Sequence, residues 1–158
     1  MRYFFIDKVT EFKRGDCARG VKNISLSDDV LHDHFPDYPV MPGALIVEAM
    51  AQLGGFLLEM SLNEPGRPLQ RALLVQIYNA KFHDFAGPGD QLEIEVRLES
   101  ELQGAAQIEA EAHAGGKRIA RGTLTFILRE IDSERVHEQR RYIYRLWTKG
   151  LDPSPAIL

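Results

Sequence analysis

The feature that most constrains the fold is a long, proline-free segment whose side chains are apolar in nearly every direction around a helix axis. It covers residues 44–62 and ends before the breaker Asn63-Glu64-Pro65-Gly66, so we predict a helix over that range. A helix that is apolar all round is buried, and the rest of the chain must enclose it. Its apolar residues are Leu45, Ile46, Val47, Ala49, Met50, Ala51, Leu53, Phe56, Leu57 and Leu58.

The segments around this helix favour strands. Residues 91–102 alternate strictly, with Leu92, Ile94, Val96 and Leu98 on one face and charged side chains on the other. Residues 107–114 and 118–128 are joined by Gly115-Gly116, which is typical of a hairpin. Further strands are expected in 4–26, where Gly15 and Gly20 are breaks, and in 72–80. The pattern predicts an α+β fold in which antiparallel strands wrap one central helix.

After residue 130 the apolar pattern changes from the alternation of strands to the spacing of an amphipathic helix. Residues 132–149 predict an amphipathic helix that Ser133 caps, with Val136, Ile143, Leu146 and Trp147 near one face. We therefore divide the chain into a domain over 1–130 and a helical extension over 131–158. The basic residues of the extension are interpreted as a solvated helix face. The alternative is that they form a binding surface for an acidic carrier protein. They are Arg135, Arg140, Arg141, Arg145 and Lys149.

Composition excludes several classes of protein. A chain of 158 residues with a net charge of −4 does not favour nucleic acid as a partner, since phosphate binding needs a basic face. Cys17 is the only cysteine, so neither an intrachain disulfide nor a cysteine-rich metal site is expected. The apolar run near Met1 is too short for a signal peptide, and Glu48 and Gln52 interrupt 43–58, which predicts no membrane span. These observations favour a soluble cytoplasmic protein.

Glu48 is the polar residue of the apolar helix that most invites a chemical interpretation. Burial without a partner disfavours an ionised carboxylate and raises its pKa, so Glu48 is a candidate general acid. Gln52 lies four residues further along, on the same face, and is positioned to orient that carboxyl group through a hydrogen bond.

The segment before the helix supplies two further candidates. Gly43, after Pro42, permits close approach to backbone N–H groups at a helix N-terminus, which is how an oxyanion hole is built. His34 lies in the preceding proline-rich loop and is a candidate base. The remaining histidines are interpreted as structural. His32 and His34 are spaced as two metal ligands could be, but the sequence offers no further ligand cluster beside them, so a metal site is not predicted. These remaining histidines are His32, His83, His113 and His137.

Three stretches of the chain carry a specific motif: residues 34–52 (HFPDYPVMPGALIVEAMAQ), 77–82 (IYNAKF) and 87–92 (GPGDQL). The first closely resembles the His-Phe-Pro-Gly-His-Pro…Met-Pro-Gly-Val-Leu-Ile-Val-Glu-Ala-Met-Ala-Gln motif of the FabZ-type 3-hydroxyacyl-[acyl carrier protein] dehydratases. The other two resemble that family's second block. The resemblance covers roughly residues 3–128 and implies a hotdog fold, a long central helix wrapped by an antiparallel sheet.

The resemblance also implies a reaction, the dehydration of 3-hydroxyacyl-[acyl carrier protein] to the trans-2-enoyl product in fatty-acid or related synthesis. His34 would remove the α-proton, Glu48 would protonate the departing hydroxyl or bind the resulting water, and the Gly43 N–H would stabilise the thioester oxygen. In this family the two residues come from different subunits, which implies a homodimer or a trimer of dimers. No metal or dissociable cofactor is expected, because the acyl group arrives on the phosphopantetheine arm of the carrier protein.

The chain departs from the family's motif at the loop. Asp33 replaces the usual glycine before the histidine, where it is positioned to hydrogen-bond or charge-pair with His34 and to raise its pKa. Asp37 and Tyr38 replace the usual Gly-His pair, and Tyr38 is expected to reshape the tunnel mouth.

Three other functions remain open at this point. A dehydratase-isomerase of the FabA type carries Asp at the helix position, which Glu48 disfavours. A hotdog thioesterase would share the fold. A non-catalytic acyl-binding or assembly subunit is motivated by Asp33 and Asp37.

Overall fold

A computed structural model describes residues 3–158, so the N-terminal expectation on residues 1 and 2 lies outside the described residues. One helix is enclosed by a six-stranded antiparallel sheet of order β1-β2-β4-β5-β6-β3, and a second helix follows it. The predicted α+β hotdog architecture is confirmed. The elements are β1 Lys8–Lys13, β2 Cys17–Asn23, α1 Gly43–Leu62, β3 Gln70–Phe82, β4 Gln91–Leu102, β5 Ala105–Ala114, β6 Lys117–Glu130 and α2 Glu134–Trp147.

The sheet encloses α1 because its strands present alternate apolar residues to that helix. On β4 the buried residues are Leu92, Ile94 and Val96, two positions apart, as the alternation predicted. On β5 the same period places Ile108 among buried alanines, whose small side chains let α1 approach closely. Gly54 of α1 meets this strand directly, since a Cβ there would overlap Ile108 Cδ1. The core is therefore the volume between α1 and the inner face of the sheet.

Two glycine predictions had different outcomes. Gly115 and Gly116 join β5 to β6 with φ values of 56° and 77°, the left-handed conformation that a two-residue hairpin turn requires. Gly20 was expected to break a strand, which is wrong because it pairs within β2 to both Val9 and Ile94. A Cβ at Gly20 would lie 3.0 Å from the Lys8 carbonyl oxygen and 3.3 Å from Leu53, so this glycine permits close packing against α1.

The C-terminal helix packs on the domain through an apolar face that differs in part from the predicted one. Ile143 and Trp147 are buried as expected, but Leu146 is 48% exposed and Tyr144, which the prediction omitted, is buried. Aromatic rings make the contact, because Phe56 of α1 packs edge-on against Tyr144 with ring centroids 5.0 Å apart. Ser133 occupies the N-cap position without a side-chain capping bond.

By length and composition α1 resembles a membrane span, but 72% of its apolar window is buried inside the fold. It is the core helix of the domain.

The outer edge of β3 has no partner strand within residues 3–158, although its side chains are largely apolar. From Leu73 to Phe82 every residue is exposed, so this part of the strand is poorly covered in addition to having a free edge. A long, apolar, unpaired edge strand is a pairing surface. Its exposed apolar residues are Leu73, Leu74, Val75, Ile77, Tyr78 and Phe82.

Candidate active site

His34 is held in a loop whose backbone is tied in two places. The Val40 N–H donates to the His34 carbonyl at 2.8 Å, and the Met41 N–H donates to the Ala86 carbonyl at 2.7 Å. The ring itself bonds through Nδ1 to the Val40 carbonyl at 3.0 Å. A carbonyl oxygen only accepts, so Nδ1 carries the hydrogen and Nε2 of the neutral ring keeps its lone pair. The loop therefore orients the half-buried His34 with a free basic nitrogen.

The residues that depart from the family's motif, Asp33, Asp37 and Tyr38, are exposed in the loop that contains His34. Phe35 and Tyr38 exchange two backbone hydrogen bonds of 2.9 Å, which close a tight turn around Asp37 at a φ of 62°. Tyr38 is 62% exposed. Asp33 is also exposed, and within residues 3–158 it makes neither a hydrogen bond nor an ion pair with His34. The expected coupling of Asp33 to the histidine is not present in the single chain.

Gly43 is the first residue of α1 and leaves its N–H at the open end of the helix. Pro42 before it is the N-cap residue and makes no side-chain cap, so the first N–H groups have no partner from that side. A Cβ at Gly43 would lie 2.8 Å from the ring of Phe82, and only glycine fits there without displacing that ring. The contact joins the start of α1 to the end of β3.

Glu48 is half-buried in the single chain, so the expectation of an enclosed carboxylate is wrong for this residue within one protomer. Gln52 Nε2 donates to Glu48 Oε1 at 2.9 Å and to the Tyr3 carbonyl at 3.1 Å. The Gln52 Oε1 accepts from the Phe5 N–H at 2.9 Å. Gln52 thus connects the acid to the N-terminal segment and fixes the orientation of its carboxyl group.

A cavity of about 680 Å³ opens beside Glu48, between α1, β3 and α2. Its walls combine small residues of the core with aromatic residues of the C-terminal helix. His34 and Gly43 do not line it. The structure brings Glu48 and Gln52 together in one protomer, but it does not bring His34 into the same cavity.

The fully buried acid of α1 is Glu59, which the sequence interpretation overlooked. It is 3% exposed and is bound by three donors from outside its helix. Arg71 Nη1 donates to Oε2 at 2.8 Å, the Tyr144 hydroxyl donates to Oε2 at 2.8 Å, and the Ala72 N–H donates to Oε1 at 3.0 Å. A second glutamate in an otherwise apolar helix was the available signal, because a buried carboxylate needs such partners.

The bonds around Glu59 continue into the C-terminal extension. Arg71 Nη2 donates to His137 Nδ1 at 2.9 Å, and His137 Nε2 donates to the Ile131 carbonyl at 2.8 Å, so this histidine is structural, as predicted. Burial, and then the charge of Glu59, raise the pKa of Tyr144 well above its usual value and keep its hydroxyl protonated as a donor. Arg140, expected on a solvated face, is 38% exposed at its side chain and also lines the cavity, with Nε 3.8 Å from Glu59 Oε1.

Within residues 3–158 there is no group of three or more His, Cys, Asp or Glu side chains arranged to hold a metal ion. The candidate residues supply a carboxyl group, an imidazole and backbone N–H donors.

Comparison with known proteins gives one consistent family. The model of the FabA-like domain matches residues 2–123. The 3-hydroxyacyl-[acyl-carrier-protein] dehydratase FabZ of Thioalkalivibrio sulfidiphilus is 39% identical over 134 residues, which is 83% of this chain and 90% of that protein. The FabZ of Bacillus subtilis is 35% identical over 81% of this chain and 89% of its own length. The helix α2 lies beyond the residues that the family model matches.

Solved structures agree on the fold. A hot-dog-like protein from Thermanaerovibrio acidaminovorans superposes with a TM-score of 0.63 at 23% identity, over 81% of this chain and 93% of the other. The fluoroacetyl-CoA thioesterase FlK superposes with a TM-score of 0.62 at 15% identity, over 83% and 98%. At these identities the likeness concerns architecture alone.

Proposed function

Because the chain belongs to the FabA-like domain family and, within it, to the FabZ dehydratases, we propose that it dehydrates 3-hydroxyacyl-[acyl carrier protein] to the trans-2-enoyl thioester with His34 as base and Glu48 as acid. The observation that carries the assignment of roles is the pair of orienting bonds: His34 Nδ1 to Val40 and Glu48 to Gln52. Each bond fixes the orientation of one reacting group through one polar atom, Nδ1 of His34 or Oε1 of Glu48. The second polar atom of each group, Nε2 or Oε2, is left for the substrate.

The atoms that would accept and donate protons in the reaction are consistent with these roles. The neutral His34 has Nε2 available to take the proton from the α-carbon, since Nδ1 is committed to the Val40 carbonyl. As the thioester becomes enolate-like, its oxygen gains charge that the Gly43 N–H at the start of α1 is positioned to stabilise. A protonated Glu48 then delivers its hydrogen to the β-hydroxyl, and water leaves.

We propose that the complete site forms only in a homodimer. His34 does not line the cavity beside Glu48 in one protomer, and β3 offers an uncovered apolar edge. Antiparallel pairing of two β3 edges would extend the sheet into a second copy and cover these side chains. The loop of one subunit would then supply His34 to the Glu48 of the other, and trimers of such dimers would use other surfaces.

The partner in solution would be an acyl carrier protein that presents the acyl group on phosphopantetheine, in the cytoplasm. The activity for which the relatives are named supports this partner, and the cavity of about 680 Å³ beside Glu48, with its largely apolar lining, is consistent with an acyl chain. Neither a metal nor a dissociable cofactor is part of the proposed reaction.

The test of the roles is turnover of a 3-hydroxyacyl thioester by purified variants. His34→Ala and Glu48→Gln should each lower kcat by about a hundredfold or more, which is the usual contribution of a general acid or base. The matched controls are His32→Ala and Glu64→Gln, which alter exposed residues of the same two types outside the proposed site. Unimpaired turnover in either site variant would refute the roles. A cis-3-enoyl product would indicate the isomerase alternative, and release of free thiol would indicate a thioesterase.

The shared site has a separate test, in which the two inactive variants are mixed and allowed to exchange subunits. Half of the dimers then contain one chain of each kind, and each mixed dimer keeps one site with both native residues. Activity should return to about one quarter of the wild-type value. Absence of any recovery, with exchange demonstrated by tagged subunits, would mean that His34 and Glu48 act within one chain.

A further inference from the structure

The C-terminal helix forms one wall of the cavity that contains Glu48, although it lies outside the part of the chain that the family model matches. Arg140, Tyr142, Tyr144 and Trp147 of α2 face the stripe of α1 that begins at Glu48. Tyr144 and Trp147 are buried against the core, so this wall is a fixed part of the fold. The extension therefore shapes the space into which an acyl chain would pass.

The cavity runs along α1 and has polar groups at both ends. Glu48, Gln52, Gly55 and Glu59 follow one face of the helix, and eleven residues at 1.5 Å each separate the two acids by about 16 Å. The middle of this path is lined by the smallest residues of the site, Ala51, Gly55 and Ala72, which leave it open.

At the Glu59 end of the cavity, two arginines face one carboxylate, so the positive charge exceeds the negative charge. Glu59 is already bound by Arg71, Tyr144 and the Ala72 N–H at 2.8 to 3.0 Å. Arg140 lies farther away, at 3.8 Å, and brings a second cation to the same carboxylate. Its Nε is buried and has no hydrogen-bond partner among residues 3–158. A buried donor without an acceptor is costly, and an anion in the cavity would satisfy it.

We propose that this end of the cavity is a subsite for a carboxylate, so that the protein acts on 3-hydroxyacyl thioesters whose acyl chain ends in a carboxylate group. Arg140 binds the terminal carboxylate, while Arg71 and Tyr144 bind Glu59, which lines the same cavity, and the charge of Arg71 offsets that of Glu59. This proposal rests on the proposed dehydratase function for the kind of thioester that enters the cavity. Binding of the carboxylate itself depends only on Arg140 and α2. The reactions that supply such a substrate must extend an acyl chain that already carries a terminal acid and then reduce the resulting 3-oxo group to the 3-hydroxyl.

Binding of unreactive analogues tests the subsite without turnover. The probes are two phosphopantetheine amides of equal chain length, one of a straight-chain monoacid and one of the corresponding diacid, each measured by calorimetry over a series of lengths. Wild-type protein should bind the diacid amide more tightly at the length that reaches Arg140. Arg140→Met should weaken that binding about tenfold or more and leave the monoacid amide nearly unchanged. Arg145→Met, an exposed arginine on the same helix, should change neither.

Turnover distinguishes failure of the subsite from failure of the dehydratase assignment. Wild-type protein should show a higher kcat/KM for the carboxylate-ended 3-hydroxyacyl thioester than for the methyl-ended one, and Arg140→Met should reverse that order. Equal binding of the two amides at every length would overturn the subsite and leave dehydration intact. Preference for the diacid amide without dehydration of either thioester would support the subsite and overturn the assigned reaction.

Discussion

The hydroxyl of Tyr144 in α2 donates a 2.8 Å hydrogen bond to the Oε2 of Glu59, 85 residues earlier in the chain. The same oxygen accepts from Arg71 of β3, so three elements meet at one buried carboxylate. Through this contact the C-terminal helix becomes part of the domain core.

Removal of Arg71 should strongly destabilise the fold. Arg71→Met removes the cation that hydrogen-bonds to the buried Glu59 and leaves only Arg140, whose Nε lies 3.8 Å from Oε1. We expect a loss of about 3 to 5 kcal/mol in the free energy of unfolding, measured in urea. The double variant Arg71→Met/Glu59→Gln should be more stable than the single one because it also removes the poorly compensated charge. Arg67→Met, whose ion pair with Glu64 is exposed, should cost less than about 0.5 kcal/mol. A small loss for Arg71→Met would mean that the pair contributes little.

Stability should fall in alkaline solution through Tyr144. Burial raises its pKa above the usual 10.0 in the folded protein, so the unfolded chain releases this proton first as the pH rises. The stabilisation is therefore complete below about pH 10 and declines from there toward the raised pKa. Tyr144→Phe should be less stable at neutral pH by about 1 to 3 kcal/mol, with a shallower alkaline decline.

The control for that measurement is Tyr142→Phe, since Tyr142 lies on the same helix and is 57% exposed. It should retain the wild-type slope of unfolding free energy against pH. An identical slope in Tyr144→Phe would contradict the assignment of the alkaline transition to Tyr144.

Adjacent glycines of α1 should respond oppositely to alanine. A Cβ at Gly54 would overlap Ile108 Cδ1, so Gly54→Ala should lower the unfolding free energy by about 1 to 3 kcal/mol. Ile108→Val removes that methyl group and should recover part of the loss in the double variant. At Gly55 the nearest atom is Ala72 Cβ at 3.9 Å, and Gly55→Ala should be neutral or stabilising by up to about 1 kcal/mol. Equal effects at both positions would show that helix propensity, not packing, governs them.

A charge on the edge of β3 should block dimer formation. Ile77 is 49% exposed on this strand, and Ile77→Lys would place an ammonium group in the proposed interface. We expect a monomer by sedimentation, with loss of activity because the shared site is incomplete. Leu102→Lys alters an exposed residue at the far end of β4 and should leave the dimer unchanged. An unaltered dimer in Ile77→Lys would place the interface elsewhere.

Much of the fold follows from local patterns. The bounds of α1 and β4 agree with the predictions to within one residue, because helix and strand periods are read directly from apolar spacing. The Gly115-Gly116 turn was equally predictable, since its backbone conformation depends on residue type. The motif residues His34, Gly43 and Glu48 were identified from their neighbours in sequence, and their roles stay predictions.

The sequence by itself determined that one helix is buried within an antiparallel sheet, and that a histidine loop and a glutamate flank its start. Only the tertiary structure decided which acid of that helix is enclosed. Glu48 and Glu59 lie on one face of α1, but Arg71 and Tyr144 reach Glu59 from β3 and α2. Burial of a carboxylate depends on the partners that distant elements supply, and helical periodicity carries no information about them.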